Sequence, residues 1–113
     1  MKSLSYLEYL ELADTRIGDA GLAHIAGMVN LKQLRLTRSR VTGAGLAHLK
    51  RLTQMETLQL EDTRVDDGGL EFLIGLTSLR EVELQGTLVT SAGVAKLHKV
   101  SPAIVIWTSL PAR

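Results

Sequence analysis

The sequence predicts an α/β solenoid, a right-handed coil with a parallel sheet on its concave side and helices outside. Three observations lead there. Side-chain chemistry recurs at a step of 24 residues through nearly the whole chain. Within each unit the apolar spacing changes from two, the period of a strand, to three, which keeps residues on one face of a helix. A glycine stands at the same place in every unit, at Gly21, Gly45, Gly69 and Gly93.

Each unit can be justified element by element. The units open at Leu7, Leu31, Met55 and Leu79, with a terminal strand at about 103–109, and together they make one domain spanning 1–113. The columns Leu10, Leu34, Leu58, Val82 and Leu12, Leu36, Leu60, Leu84 give the strand, with alternate side chains on one face. Thr15, Ser39, Thr63 and Thr87 follow, and their hydroxyls are expected to tie down the backbone as the strand turns away. Ile17, Val41, Val65 and Val89 lead to the helix start at Gly18, Thr42, Asp66 and Thr90. Three of those four are good N-caps, and Asp19 and Asp67 add negative charge where the helix dipole favours it.

The columns headed by Leu22, Ile25 and Met28 predict a helix of about two and a half turns in each unit. Because the chain returns through that helix, successive strands lie parallel. One unit cannot bury its own apolar face, but a stack can. Strands stack at about 4.8 Å whereas helices need about 8–10 Å, so the stack bends with the sheet inside. The repeated glycine serves either close approach of neighbouring units or a backbone angle other residues avoid. The sequence leaves both open.

The segments "LRLTRSRVTGAGLAHL" (34–49) and "LQLEDTRVDDGGLEFL" (58–73) carry the pattern most plainly. It resembles the leucine-rich repeat in its bacterial 24-residue form, with Thr where many families carry Asn. "AGLAHL" is also similar to GALA-type repeats. The resemblance covers residues 4–107 and implies a non-catalytic scaffold that binds proteins. The chain lacks the Asn and Cys ladders of commoner forms, so no subfamily's function carries over.

Leu4 falls in the tail of a unit whose strand and helix are missing. At the other end Ser101-Pro102 stops the last helix, and "AIVIWTSL" supplies a fifth strand. Ala103 and Ile106 fall in core columns, Thr108 replaces the third leucine, and Ile104, Val105 and Trp107 lie on or near exposed positions. These apolar groups either fold over the end or leave it open to a second copy, or to the rest of a longer chain.

Composition narrows the function. The net charge of +1, from 13 basic and 12 acidic residues, argues against nucleic acid as a partner. There is no cysteine, so disulfides and thiolate metal sites are excluded. No segment approaches the roughly 18 apolar residues of a membrane span. Glu8 and Glu11 interrupt the apolar run an export leader needs, which makes a cytoplasmic protein the expectation.

Chemistry is sparse. His24 and His48 share a column that continues as Phe72 and Lys96, so no third metal ligand follows. "GAGLAH" at 43–48 has two glycines of a nucleotide loop but not the third. Asp66 and Asp67, near Glu61 and Asp62, do not match a calcium loop. No nucleophile and base are placed together, so no enzyme, cofactor or metal is expected.

The working surface is instead the outward row of the sheet. Its columns are Tyr9, Gln33, Thr57, Glu81, Val105, then Glu11, Arg35, Gln59, Glu83, Trp107, then Ala13, Thr37, Glu61, Gln85, Ser109. The candidate contacts are Tyr9, Glu11, Arg35, Gln59, Glu61, Glu81, Glu83 and Trp107. Glu61, Glu81 and Glu83 give the face an acidic lean that suits an unknown protein or peptide with basic and aromatic groups. Glu11 and Arg35 are positioned to pair across strands. Arg16, Arg40 and Arg64, with Arg38 between Asp14 and Asp62 in the neighbouring column, read as an alternating surface charge ladder. The alternative function is structural: a solenoid fragment of a larger protein, or one that forms homo-oligomers through its terminal repeats.

Overall fold

The computed structural model describes residues 6–110, so Leu4 lies outside the described residues. Five strands form one parallel sheet in chain order: β1 (Tyr9–Glu11), β2 (Gln33–Arg35), β3 (Thr57–Gln59), β4 (Glu81–Glu83) and β5 (Val105–Trp107). The pairing register places Leu10, Leu34, Leu58, Val82 and Ile106 side by side, one from each strand. The three interior members of that row are essentially sealed from solvent, while Leu10 and Ile106 at the sheet edges are half-buried. Leu36, Leu60 and Leu84 form a second buried row beneath it. Each fully buried leucine stabilises the coil by about 1.5–3 kcal/mol, which a single unit could not gain alone.

Beyond the strands the ladder continues by backbone bonds alone. Leu12, Leu36, Leu60 and Leu84 each donate their N–H to the next strand at 2.7–2.9 Å. The chain then turns sharply at Asp14, Arg38, Asp62 and Gly86, all of which hold a left-handed backbone with φ of 56–73°. Asp and Gly tolerate that region; Arg38 does so at a cost. Three of the four hydroxyls in the next column, Thr15, Thr63 and Thr87, donate to the carbonyl three residues earlier at 2.7 Å. Ser39 departs from the expectation: it is buried, and its hydroxyl has no hydrogen-bond partner among the described residues.

The outer segments differ from the predicted helices of two and a half turns. In the first unit a single α turn, α1 (Asp19–Leu22), runs into a 3₁₀ turn at Ala23–Ile25. The second unit has only a 3₁₀ helix, Gly43–Leu49. The third repeats the first, with α2 (Asp67–Leu70) followed by 3₁₀ Glu71–Leu73. Only the last unit forms a full α-helix, α3 (Ser91–Val100). The spacing of three explains this, because three residues complete a turn of 3₁₀ helix and leave Leu46 and Leu49 in line. On an α-helix each step of three drifts by about 60°. Val100, expected in the core, is accordingly 52% exposed, whereas Leu52 and Leu76 at the same place in earlier units are buried.

Capping also differs from expectation. Asp66 and Thr90 accept from the backbone N–H of Gly69 and Gly93, at 3.2 and 3.3 Å. Thr42 makes no such cap. Its N–H and hydroxyl both donate to the Asp19 carboxylate in the preceding unit, and Thr90 donates in the same two ways to Asp67. Asp19 and Asp67 are therefore braces between units as well as acids at a helix start. The repeated glycine serves close packing, not backbone angle: none of the four is left-handed, a Cβ on Gly69 would lie 2.6 Å from the Cα of Gly43 in the neighbouring unit, and one on Gly21 would meet the Ile17 side chain of its own unit. At Gly45 and Gly93 a Cβ would collide with the Asp19 and Asp67 carboxylates.

At the C-terminal end the core residue is Ile104, 6% exposed, while Ala103 is exposed. This corrects the placement of Ala103 inside and Ile104 near the surface. The turn after Pro102, closed by a bond from the Ile104 N–H to the Ser101 carbonyl at 3.1 Å, takes up one residue and turns Ile104 inward.

Candidate functional site

The outward side chains follow from strand alternation. With Leu34, Leu58 and Val82 turned inward, the residues on either side of each must face away from the core. Tyr9, Gln33, Thr57, Glu81 and Val105 make one row by register, and Glu11, Arg35, Gln59, Glu83 and Trp107 the other. All eight sequence-derived candidates except Glu61 lie in these two rows. Glu61 sits just after β3, where Thr37 donates to it at 2.7 Å. Thr37, read as an outward position, is 2% exposed because Glu61 and Arg35 enclose its hydroxyl.

The two halves of this face differ in their electrostatics. Around β1 and β2 the groups satisfy one another. Tyr9 donates to Glu11 at 2.9 Å, and this bond raises the phenol pKa above its ordinary value. Arg35 lies 3.7 Å from Glu11, and its Nε donates to Thr37 at 3.4 Å. Both members of the Arg35–Glu11 pair are more than a third exposed, so the pair contributes well under about 1 kcal/mol. It fixes orientation rather than stability.

Around β4 and β5 the balance is acidic. Glu83 accepts from Gln85 at 3.1 Å, and Glu81 from the Trp107 indole N–H at 2.6 Å. Among the described residues no basic side chain pairs with Glu61, Glu81 or Glu83 within 4.0 Å. Trp107 and Val105 remain 47% and 50% exposed, the largest apolar surfaces on this half. Gln59, between the halves, is partly exposed.

The charge ladder on the adjoining turn is real but involves only some of its members. Arg38 grips Asp14 with two nitrogens, the second at 2.9 Å, and reaches Asp62 at 3.9 Å. The Arg38 bond holds the Asp14 carboxyl below the usual carboxylate range. Arg16, Arg40 and Arg64 are exposed beside it. On the helix side a groove of about 240 Å³ runs between α2 and α3 over Leu70, Ile74 and Leu97, where Glu71 and Lys96 pair at 3.3 Å. Sequence reading missed this groove, since it arises where a 3₁₀ turn abuts the one full α-helix. His24 is exposed and His48 partly so, and among the described residues no cluster of three or more His, Asp or Glu could hold a metal ion. No helix of the described residues is long and apolar enough to cross a membrane.

Comparison with known proteins agrees with this architecture. A family model described as Leucine Rich repeat matches residues 3–26. No curated protein matches the chain. Among solved structures, internalin C2 of Listeria monocytogenes is similar over 94% of this chain, with 26% identity and a TM-score of 0.78. A Leptospira interrogans repeat protein covers 88% of the chain at 18% identity and TM-score 0.70. A second Listeria monocytogenes internalin covers 96% at 18% identity and TM-score 0.58. The chain spans only 43%, 25% and 36% of those three chains.

Proposed function

We propose that the chain, in which a leucine-rich-repeat family model matches residues 3–26 and whose fold is similar to that of internalin C2, acts over residues 1–113 as one non-catalytic domain that binds a protein or peptide on its open sheet face. Leucine-rich repeats in general mediate protein–protein interaction. The observation that carries the reading is the contrast between the two sides of the sheet. Inward residues keep their chemistry from unit to unit, while the outward rows change at every strand yet lie in one continuous register. Tyr9, Glu11, Arg35, Gln59, Glu61, Glu81, Glu83 and Trp107 are the proposed contacts. The partner they suit has basic and apolar groups.

The test is selection of binders from a displayed random-peptide library, followed by backbone amide shift mapping on the labelled chain. Selected peptides should shift amides of β1 to β5 and spare α1, α2 and α3. Shifts confined to the helix side would overturn the reading. A second reading, assembly through the terminal units, draws on where the exposed apolar residues sit. Tyr6 and Tyr9 lie at one end, and Leu88, Val100, Val105 and Trp107 in the last coil. Light scattering that finds only monomer across micromolar concentrations counts against it.

A further inference from the structure

We infer that the β4–β5 half of the sheet face is a dock for an arginine side chain of the partner, stacked on the Trp107 indole and paired with the Glu83 carboxylate. The inference rests on the sheet-face reading and adds the chemistry of one contact to it. Glu83 and Trp107 are direct register partners on neighbouring strands and stand on the same face. Parallel strands lie about 4.8 Å apart, so the two side chains leave the sheet from adjacent positions. The indole N–H is committed to Glu81 at 2.6 Å, which restrains the ring while leaving the side chain half-exposed. One Glu83 oxygen accepts from Gln85, and the other has no hydrogen-bond partner among the described residues.

This arrangement selects for a particular cation. A guanidinium is planar, stacks on an aromatic face and gives paired N–H donors to a carboxylate. An ammonium offers a point charge and no plane to stack. The opposite half of the face cannot serve the same purpose, because Glu11 there is already held by Tyr9 and Arg35. The negative charge at Glu81 and Glu83 therefore complements an incoming cation at the β4–β5 end.

Trp107 is the sole tryptophan of the chain, so its fluorescence reports the site directly. The probe is the tripeptide acetyl-Gly-Arg-Gly-amide, with counterparts carrying citrulline or lysine in place of arginine. The arginine probe should change Trp107 emission saturably and shift the amides of β4 and β5. The citrulline probe, of the same shape without the charge, should bind at least about tenfold more weakly, and the lysine probe several-fold more weakly. Glu83→Gln should lower affinity for the arginine probe about tenfold. Glu71→Gln removes the same charge on the helix side and should leave it unchanged. Equal binding of arginine and citrulline probes, equal binding of arginine and lysine probes, or equal loss in the two glutamine variants would each overturn the inference. Library peptides that occupy the sheet face without arginine at Glu83 would sink this contact alone; peptides on the helix side would remove the sheet-face reading with it.

Discussion

One methyl group is enough to test how tightly adjacent coils are drawn together. A Cβ on Gly69 would meet the Gly43 backbone at 2.6 Å, and backbone on both sides leaves nothing flexible to give way. Gly69→Ala should therefore cost about 2–3 kcal/mol in urea unfolding. Gly75→Ala is the control. Nothing lies within 4 Å of its added methyl, so it should be neutral or raise stability by up to about 1 kcal/mol. The sequence already marked Gly69 as special, since its column is glycine in every unit. It left open whether space or backbone angle was the reason, because both demands select the same residue. The left-handed column was hidden for a different cause. Asp14, Asp62 and Gly86 are residues that accept positive φ, but Arg38 breaks the pattern, held there by its grip on Asp14.

The first four strands were fully legible in the sequence, because an alternation of two is unmistakable when the same leucines return at a fixed step; leading into the fifth the pattern slips by one residue, and Ile104 rather than Ala103 turns inward. The outer segments were legible as helical but not in their type. Spacing of three fits a 3₁₀ helix and one face of an α-helix alike over so short a run, and only the exposure of Val100 separates them. The bracing by Asp19 and Asp67 was masked by a simpler role, since an acid at a helix start needs no further explanation. Asp67→Ala should show the difference. It removes the acceptor of both the Thr90 N–H and its hydroxyl, so it should cost about 1–3 kcal/mol. Thr90→Val keeps the N–H bond but loses both the hydroxyl's bond to Asp67 and its cap on Gly93, so it should cost about 1–2 kcal/mol. A purely dipolar role would hold Asp67→Ala to about 0.3–1 kcal/mol and make it additive with Thr90→Val in the double variant. Of the candidate site, the two outward rows were readable from alternation. Which carboxylates were already satisfied was not, because that depends on side-chain geometry across strands.

In the assembled coil each unit touches only its neighbours, so stability is graded along the axis. The amides of Leu36 and Leu60 donate within the interior of the sheet, and those of Leu12 and Val105 do so at its two ends, all at 2.8–2.9 Å. Hydrogen exchange should nevertheless be at least about tenfold faster at Leu12 and Val105, because a terminal unit can open alone. Uniform exchange at the four would indicate one cooperative block. The alternation of junction chemistry carries a rule for growth. Asp19 clasps the second coil and Asp67 the fourth, while the second and third meet through bare glycine backbone at Gly43 and Gly69. Duplicating the third coil by itself would aim the Asp67 carboxylate at a copied Asp66. A longer version of this protein, made by nature or by hand, should therefore be extended two coils at a time.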